Sequence, residues 1–148
     1  PTQSLTTDIE MKIVFAIAFS LLTLFSSNTQ AQTPAPTDAE VYLISPLDGE
    51  TVTSPVIVKF GLRGMGVAPA GMDKANTGHH HLIIDHDLPA LDKPIPMDSN
   101  HKHFGGGQTE TSIALSPGKH TLQLIMGDKT HIPHTPPVIS EKVTITVK

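Results

Sequence analysis

Hydrophobic and polar positions alternate over short stretches of this chain, and no 3.6-residue period is present beyond residue 31. Val56, Val58, Phe60 and Leu62 share one face of a predicted strand over 56–63, and Ile57, Lys59, Gly61 and Arg63 share the other. Val41–Ser45 reads as an earlier strand, closed by the turn residues Pro46-Leu-Asp-Gly49. Thr109–Leu115 and His120–Met126 flank the tight turn Ser116-Pro-Gly-Lys119, with Leu122, Leu124 and Met126 facing one way. Val138–Val147 reads as the last strand, Val143, Ile145 and Val147 alternating with Lys142, Thr144 and Thr146. His79–Asp85 is a further strand whose two faces are less distinct. Gly64–Gly78 is rich in glycine and Leu88–Asn100 in proline, so both read as loops. Six or seven short strands at near-regular spacing predict an all-β chain, an antiparallel immunoglobulin-like sandwich of about seven strands over 40–148.

Residues 11–31 carry a different pattern. Lys12 precedes the uncharged apolar run Ile13–Phe25, and Thr29-Gln30-Ala31 places small side chains before a cleavage point. The run is shorter than the roughly 20 residues that span a bilayer. It reads as a signal peptide, with residues 1–10 an upstream extension and residues 32–39 a Pro-containing linker. The expectation is an exported domain, periplasmic or secreted, with no membrane association after cleavage.

Composition narrows the function. The 148 residues suggest one folding unit, and a net charge of −4 argues against binding nucleic acid by phosphate neutralisation. With no cysteine there is no disulfide, thiolate ligand or cysteine nucleophile. With no tryptophan and a single tyrosine there is no aromatic platform for bases or sugars. No nucleophile–base pair or carboxylate dyad is visible, which points away from an enzyme; a metal-dependent oxidoreductase would need the histidines described next.

All nine histidines fall between His79 and His134. His79-x-His81 on a strand puts two imidazoles on one face, about 6.5–7 Å apart along the chain. His101-x-His103 is a second such pair, just before Gly105-Gly-Gly107, and His131-x-x-His134 lies among prolines. Imidazole is a ligand for copper and zinc. The expected metal ligands are therefore His79, His81, His101 and His103, then His131 and His134, with Asp85 as an orienting or ligating carboxylate. In the alternative reading the histidines shape loops of a module that binds a cell-envelope protein or polymer. A third use is pH sensing, since free imidazole titrates near neutrality.

Five runs also carry a family likeness: Ser45-Pro-Leu-Asp-Gly49, Gly64-Met-Gly-Val-Ala-Pro-Ala-Gly71, Thr77-Gly-His-His-His-Leu82, His103-Phe-Gly-Gly-Gly-Gln-Thr-Glu110 and Pro117-Gly-Lys-His-Thr-Leu-Gln-Leu124. Through them the chain resembles the bacterial exported family known as domain of unknown function 4399, over about residues 40–148. That resemblance implies a small exported domain and supplies no catalytic residues. A fainter likeness, of architecture alone, is to periplasmic copper-handling β-sandwiches, the copper-resistance chaperones and copper–zinc superoxide dismutase.

Overall fold

The computed structural model describes residues 31–148, so the predicted upstream extension and all but the last residue of the predicted signal peptide lie outside the described residues. Nine strands and no helix are present among them: β1 (Glu40–Ser45), β2 (Thr51–Val52), β3 (Val56–Arg63), β4 (Gly66–Val67), β5 (Thr77–Ile84), β6 (His101–His103), β7 (Glu110–Ile113), β8 (Gly118–Gly127) and β9 (Val143–Val147). They form two sheets. One has the order β1-β3-β7; the other runs β2-β9-β8-β5-β4, with β6 also paired to β5. Most pairings are antiparallel, and the short β2–β9 and β4–β5 pairs are parallel. The predicted sandwich is therefore present, with two additional two-residue strands and the three-residue β6.

The predicted alternation decides which side chains meet between the sheets. Val56, Val58 and Phe60 from β3 face Leu82 and Ile84 from β5, Leu122, Leu124 and Met126 from β8, and Val143, Ile145 and Val147 from β9. Burying each such side chain is worth about 1.5–3 kcal/mol. With no disulfide, this aliphatic layer is the chief stabilising contact between the sheets.

β5 is buried on both faces. Its inward residues join the main core, while Ile83, on the outward face, joins Ile95 and Ile125 in a second cluster with Ile139 packed against it. The loops after β5 and β8 supply that cover. A strand covered on both sides needs no polar face, which explains its blurred sequence pattern.

The last predicted strand divides in two. Met126 N donates to Val138 O, and Ser140 N donates to Leu124 O, so 138–140 continues the ladder beside β8. The Ser140 hydroxyl then accepts from Leu124 N, taking a donor that a backbone carbonyl would otherwise use. Regular pairing resumes only at Val143. A side chain competing with the ladder is the physical cause of the break.

Candidate metal centre

β5 projects His79 and His81 from the outward face of the six-stranded sheet, because residues two apart on a strand share a face. β6 runs antiparallel to it, with His81 opposite His103 and Ile83 opposite His101. That register sets the His103 ring beside the first pair. β8 lies on the other side of β5, with Gly127 opposite His79. The loop that follows carries His131 over the same spot.

Four imidazoles thereby converge. His79 Nε2 lies 3.0 Å from His81 Nε2, 3.2 Å from His103 Nε2 and 3.1 Å from His131 Nδ1. One ring nitrogen from each residue falls within 4.8 Å of all the others. A neutral imidazole nitrogen has either one N–H or one lone pair, so His79 Nε2 can make one good hydrogen bond, not three. Hydrogen bonding among the rings therefore does not account for the arrangement. The spacing is close to that of ligands around one cation, and the cluster could hold such an ion: four nitrogens at about 2.0–2.1 Å from an ion in a tetrahedron stand roughly 3.3–3.4 Å apart.

The site is shaped for these rings by missing side chains. A Cβ on Gly127 would lie 2.8 Å from His81 Nε2 and 3.4 Å from His131 Cα. A Cβ on Gly105 would overlap the His103 ring. His131 adopts φ of +68°, a left-handed conformation that costs a non-glycine residue on the order of 1–3 kcal/mol. The surrounding loop holds it there: His131 N donates to Asp128 O, and His131 O accepts from Ile95 N.

The electrostatics favour uncharged rings. Burial pushes His79 down to about 4, with His103 and His131 adding to the effect. Burial, then His79 and His103, takes His81 down to about 2. His103 is also lowered, by burial first and then by His131. Neutral imidazole is the metal-binding form, so at neutral pH His79, His81 and His103 would need to lose no proton to take a cation. His79 and His81 are buried, while His103 and His131 are half-buried, so the cluster reaches solvent along the His103–His131 edge.

The other predicted ligands lie elsewhere. His101 shares the outward face with His103 but is one step along β6, about 6.5–7 Å away. Its Nδ1 pairs with Asp98 at 2.8 Å, and its ring packs edge-on against His86. His134 Nε2 donates to the Thr77 carbonyl at 3.0 Å. Asp85 lies at the far end of β5, where Oδ2 pairs with His120 Nδ1 at 2.6 Å and Oδ1 accepts from Thr121 N. The structure thus gathers His79, His81, His103 and His131, and it leaves His101, His134 and Asp85 outside the cluster.

Sequence reasoning did not single out Asp128. This residue is only 4% exposed. Its Oδ1 accepts from Thr130 N, Thr130 Oγ1 and Ile132 N, and its Oδ2 accepts from Thr33 Oγ1. Burial acts to raise this carboxyl, but the hydrogen bonds from Thr33, Thr130 and Ile132 outweigh it and hold the group below the usual carboxylate value. The signal available was Asp128-Lys-Thr130 directly after an apolar strand, a spacing typical of turns built around an aspartate side chain.

The family model for a domain of unknown function (DUF4399) covers residues 58–148, which include all four clustered histidines. No curated protein matches the chain, and no solved structure does.

Proposed function

We propose that this chain, which belongs to the DUF4399 family, is an exported β-sandwich that binds one divalent transition-metal ion, copper or zinc, through His79, His81, His103 and His131. One observation carries the reading: three imidazole nitrogens stand within 3.2 Å of His79 Nε2, a crowding that a single ring nitrogen cannot satisfy by hydrogen bonding.

The donor set supports the choice of metal. Four imidazoles with no thiolate and no carboxylate suit borderline ions such as Cu(II) and Zn(II), whereas magnesium and calcium favour oxygen ligands. Three residues bind through Nε2 and His131 through Nδ1, which brings a loop ligand in beside three strand ligands. The ion would be held among the four rings, with the half-buried His103 and His131 on its solvent side. Export rests on the signal-like segment over residues 11–31.

Equilibrium dialysis of the purified protein against Cu(II) or Zn(II), followed by metal analysis, tests the proposal. One tightly held ion per chain is expected, and the double variant His79→Ala/His81→Ala should hold none. Clearly substoichiometric metal, or equal retention by the double variant, would exclude this site.

A further inference from the structure

We infer that Asp128 is a positioning residue for the metal ligand His131, and that Thr33 makes the N-terminal segment Gln32–Ala35 part of the same device. This rests on the four-histidine reading above and adds to it the element that controls the fourth ligand.

His79, His81 and His103 sit on neighbouring strands, so backbone pairing fixes their spacing. His131 has no such support. It comes from a loop, in a conformation with φ of +68°. Asp128 organises that loop from both ends. Its backbone carbonyl accepts from His131 N at 2.9 Å, and its backbone N donates to Ile132 O at 2.9 Å. Its Oδ1 gathers Thr130 N at 2.8 Å, Thr130 Oγ1 at 2.8 Å and Ile132 N at 3.0 Å. The carboxylate thus brackets His131 on both chain neighbours without touching its ring.

The other carboxylate oxygen faces the N-terminal segment. Thr33 Oγ1 donates to Asp128 Oδ2 at 2.6 Å. The same segment is stitched along the far side of the loop. Thr135 N donates to Thr33 O at 3.0 Å, and Ala35 N donates to Thr135 O at 3.1 Å. Gln32 Nε2 donates to Pro133 O at 3.1 Å and to Leu91 O. A stretch that composition reads as a linker is therefore a strap across residues 128–135. Without it, one oxygen of a buried carboxylate would lose its donor, and the turn that sets the direction of His131 would loosen.

The test uses the full chain with Thr33→Val, Thr33→Ser, Asp128→Ala and His131→Ala. In the metal-free protein, the amide and ring NMR resonances of His131 should move in Thr33→Val and Asp128→Ala, while the amide resonances of Val58 and Leu122 in the core between the sheets stay in place. In the Cu(II)-loaded protein, the EPR spectrum should pass from four coordinated nitrogens to the three-nitrogen form shown by His131→Ala. Affinity measured by chelator competition should fall about 10- to 100-fold, the range for outer groups that orient metal ligands. Thr33→Ser, which restores the hydroxyl, should return all three readouts to the parent values. If Asp128→Ala fails to fold, Thr33→Val carries the test alone. Unmoved His131 resonances, or parental affinity with a four-nitrogen spectrum in Thr33→Val, overturn the inference. A parent protein that binds no copper, alongside His131 resonances that shift in Thr33→Val and recover in Thr33→Ser, removes the metal reading and leaves the positioning role standing.

Discussion

The imidazole of His81 occupies the space that a side chain on Gly127 would fill: an added Cβ would lie 2.8 Å from His81 Nε2. Gly127 ends β8 directly across from His79, so the absence of a side chain there opens the sheet surface to the neighbouring ring. The contact is between a strand backbone and a ring nitrogen of the cluster, so a side chain at 127 would displace the His81 ring.

Gly127→Ala is expected to keep the fold and to weaken copper or zinc binding about tenfold, equivalent to about 1.4 kcal/mol. Isothermal titration of the variant beside the parent checks this. Equal affinity would show that the His81 ring can turn aside at no cost to binding.

Histidines outside the cluster should behave differently. His101→Ala and His134→Ala are expected to bind metal within a few-fold of the parent, because both residues lie outside the four-histidine group and each has one ring nitrogen engaged elsewhere, His101 Nδ1 with Asp98 and His134 Nε2 with the Thr77 carbonyl. His134→Ala should nonetheless lower unfolding stability by about 1–3 kcal/mol, since the buried His134 ring is lost and the half-buried Thr77 carbonyl loses its donor. Competition assays and urea titration separate the two effects.

His80 presents a contrast in the same run of three. It points inward, its ring centroid lies 5.1 Å from that of Phe60, and neither nitrogen has a hydrogen-bond partner among the described residues. Burying an unpaired polar group costs more than replacing it with an apolar one of similar size. His80→Leu is expected to stabilise the metal-free protein by about 1–2 kcal/mol with metal affinity unchanged, measured by denaturant midpoint and titration. A lower midpoint would mean that the imidazole makes a contact the leucine cannot replace.

Acid should destabilise the metal-free protein. Burial lowers His79 and His80 to about 4 and His81 to about 2, from an ordinary value of 6.5. Below 6.5 the unfolded chain takes up protons on these rings and the folded chain does not. Their contribution is therefore complete above pH 6.5 and is lost progressively as pH falls towards 4 and below, by on the order of several kcal/mol in all. His120 works in the opposite sense: its hydrogen bond to Asp85 raises it, so its contribution is present below 6.5 and fades as pH rises through the folded value. Urea midpoints at pH 7.5, 6 and 5 should fall in that order, because the three buried rings outweigh the single partly exposed pair. A flat profile would contradict the neutral, buried state of His79, His80 and His81.

Much of the fold can be read in short stretches of the chain. β3 occupies the residues its alternation predicts, Val56–Arg63, and β1 and β8 fall within two residues of their expected bounds at either end. β6 gives no such signal, because three residues with two histidines carry too few apolar positions to show a period. The break before β9 is equally hidden, since it depends on where the Ser140 hydroxyl points once β8 is beside it.

The placing of His79 and His81 on one face follows from strand geometry alone, because that relationship is contained within three consecutive residues. Their meeting with His103 and His131 is of another kind. Those contacts join residues 24 and 52 positions apart, and they exist only because β6 pairs with β5 in one register and because Asp128 holds a loop in an unusual turn. The same H-x-H spacing occurs at His101 and His103, yet one ring joins the cluster and the other bonds Asp98. Local alternation specifies which way a side chain points, whereas which distant side chain it meets is set by pairing and loop closure, quantities that no short window of residues contains.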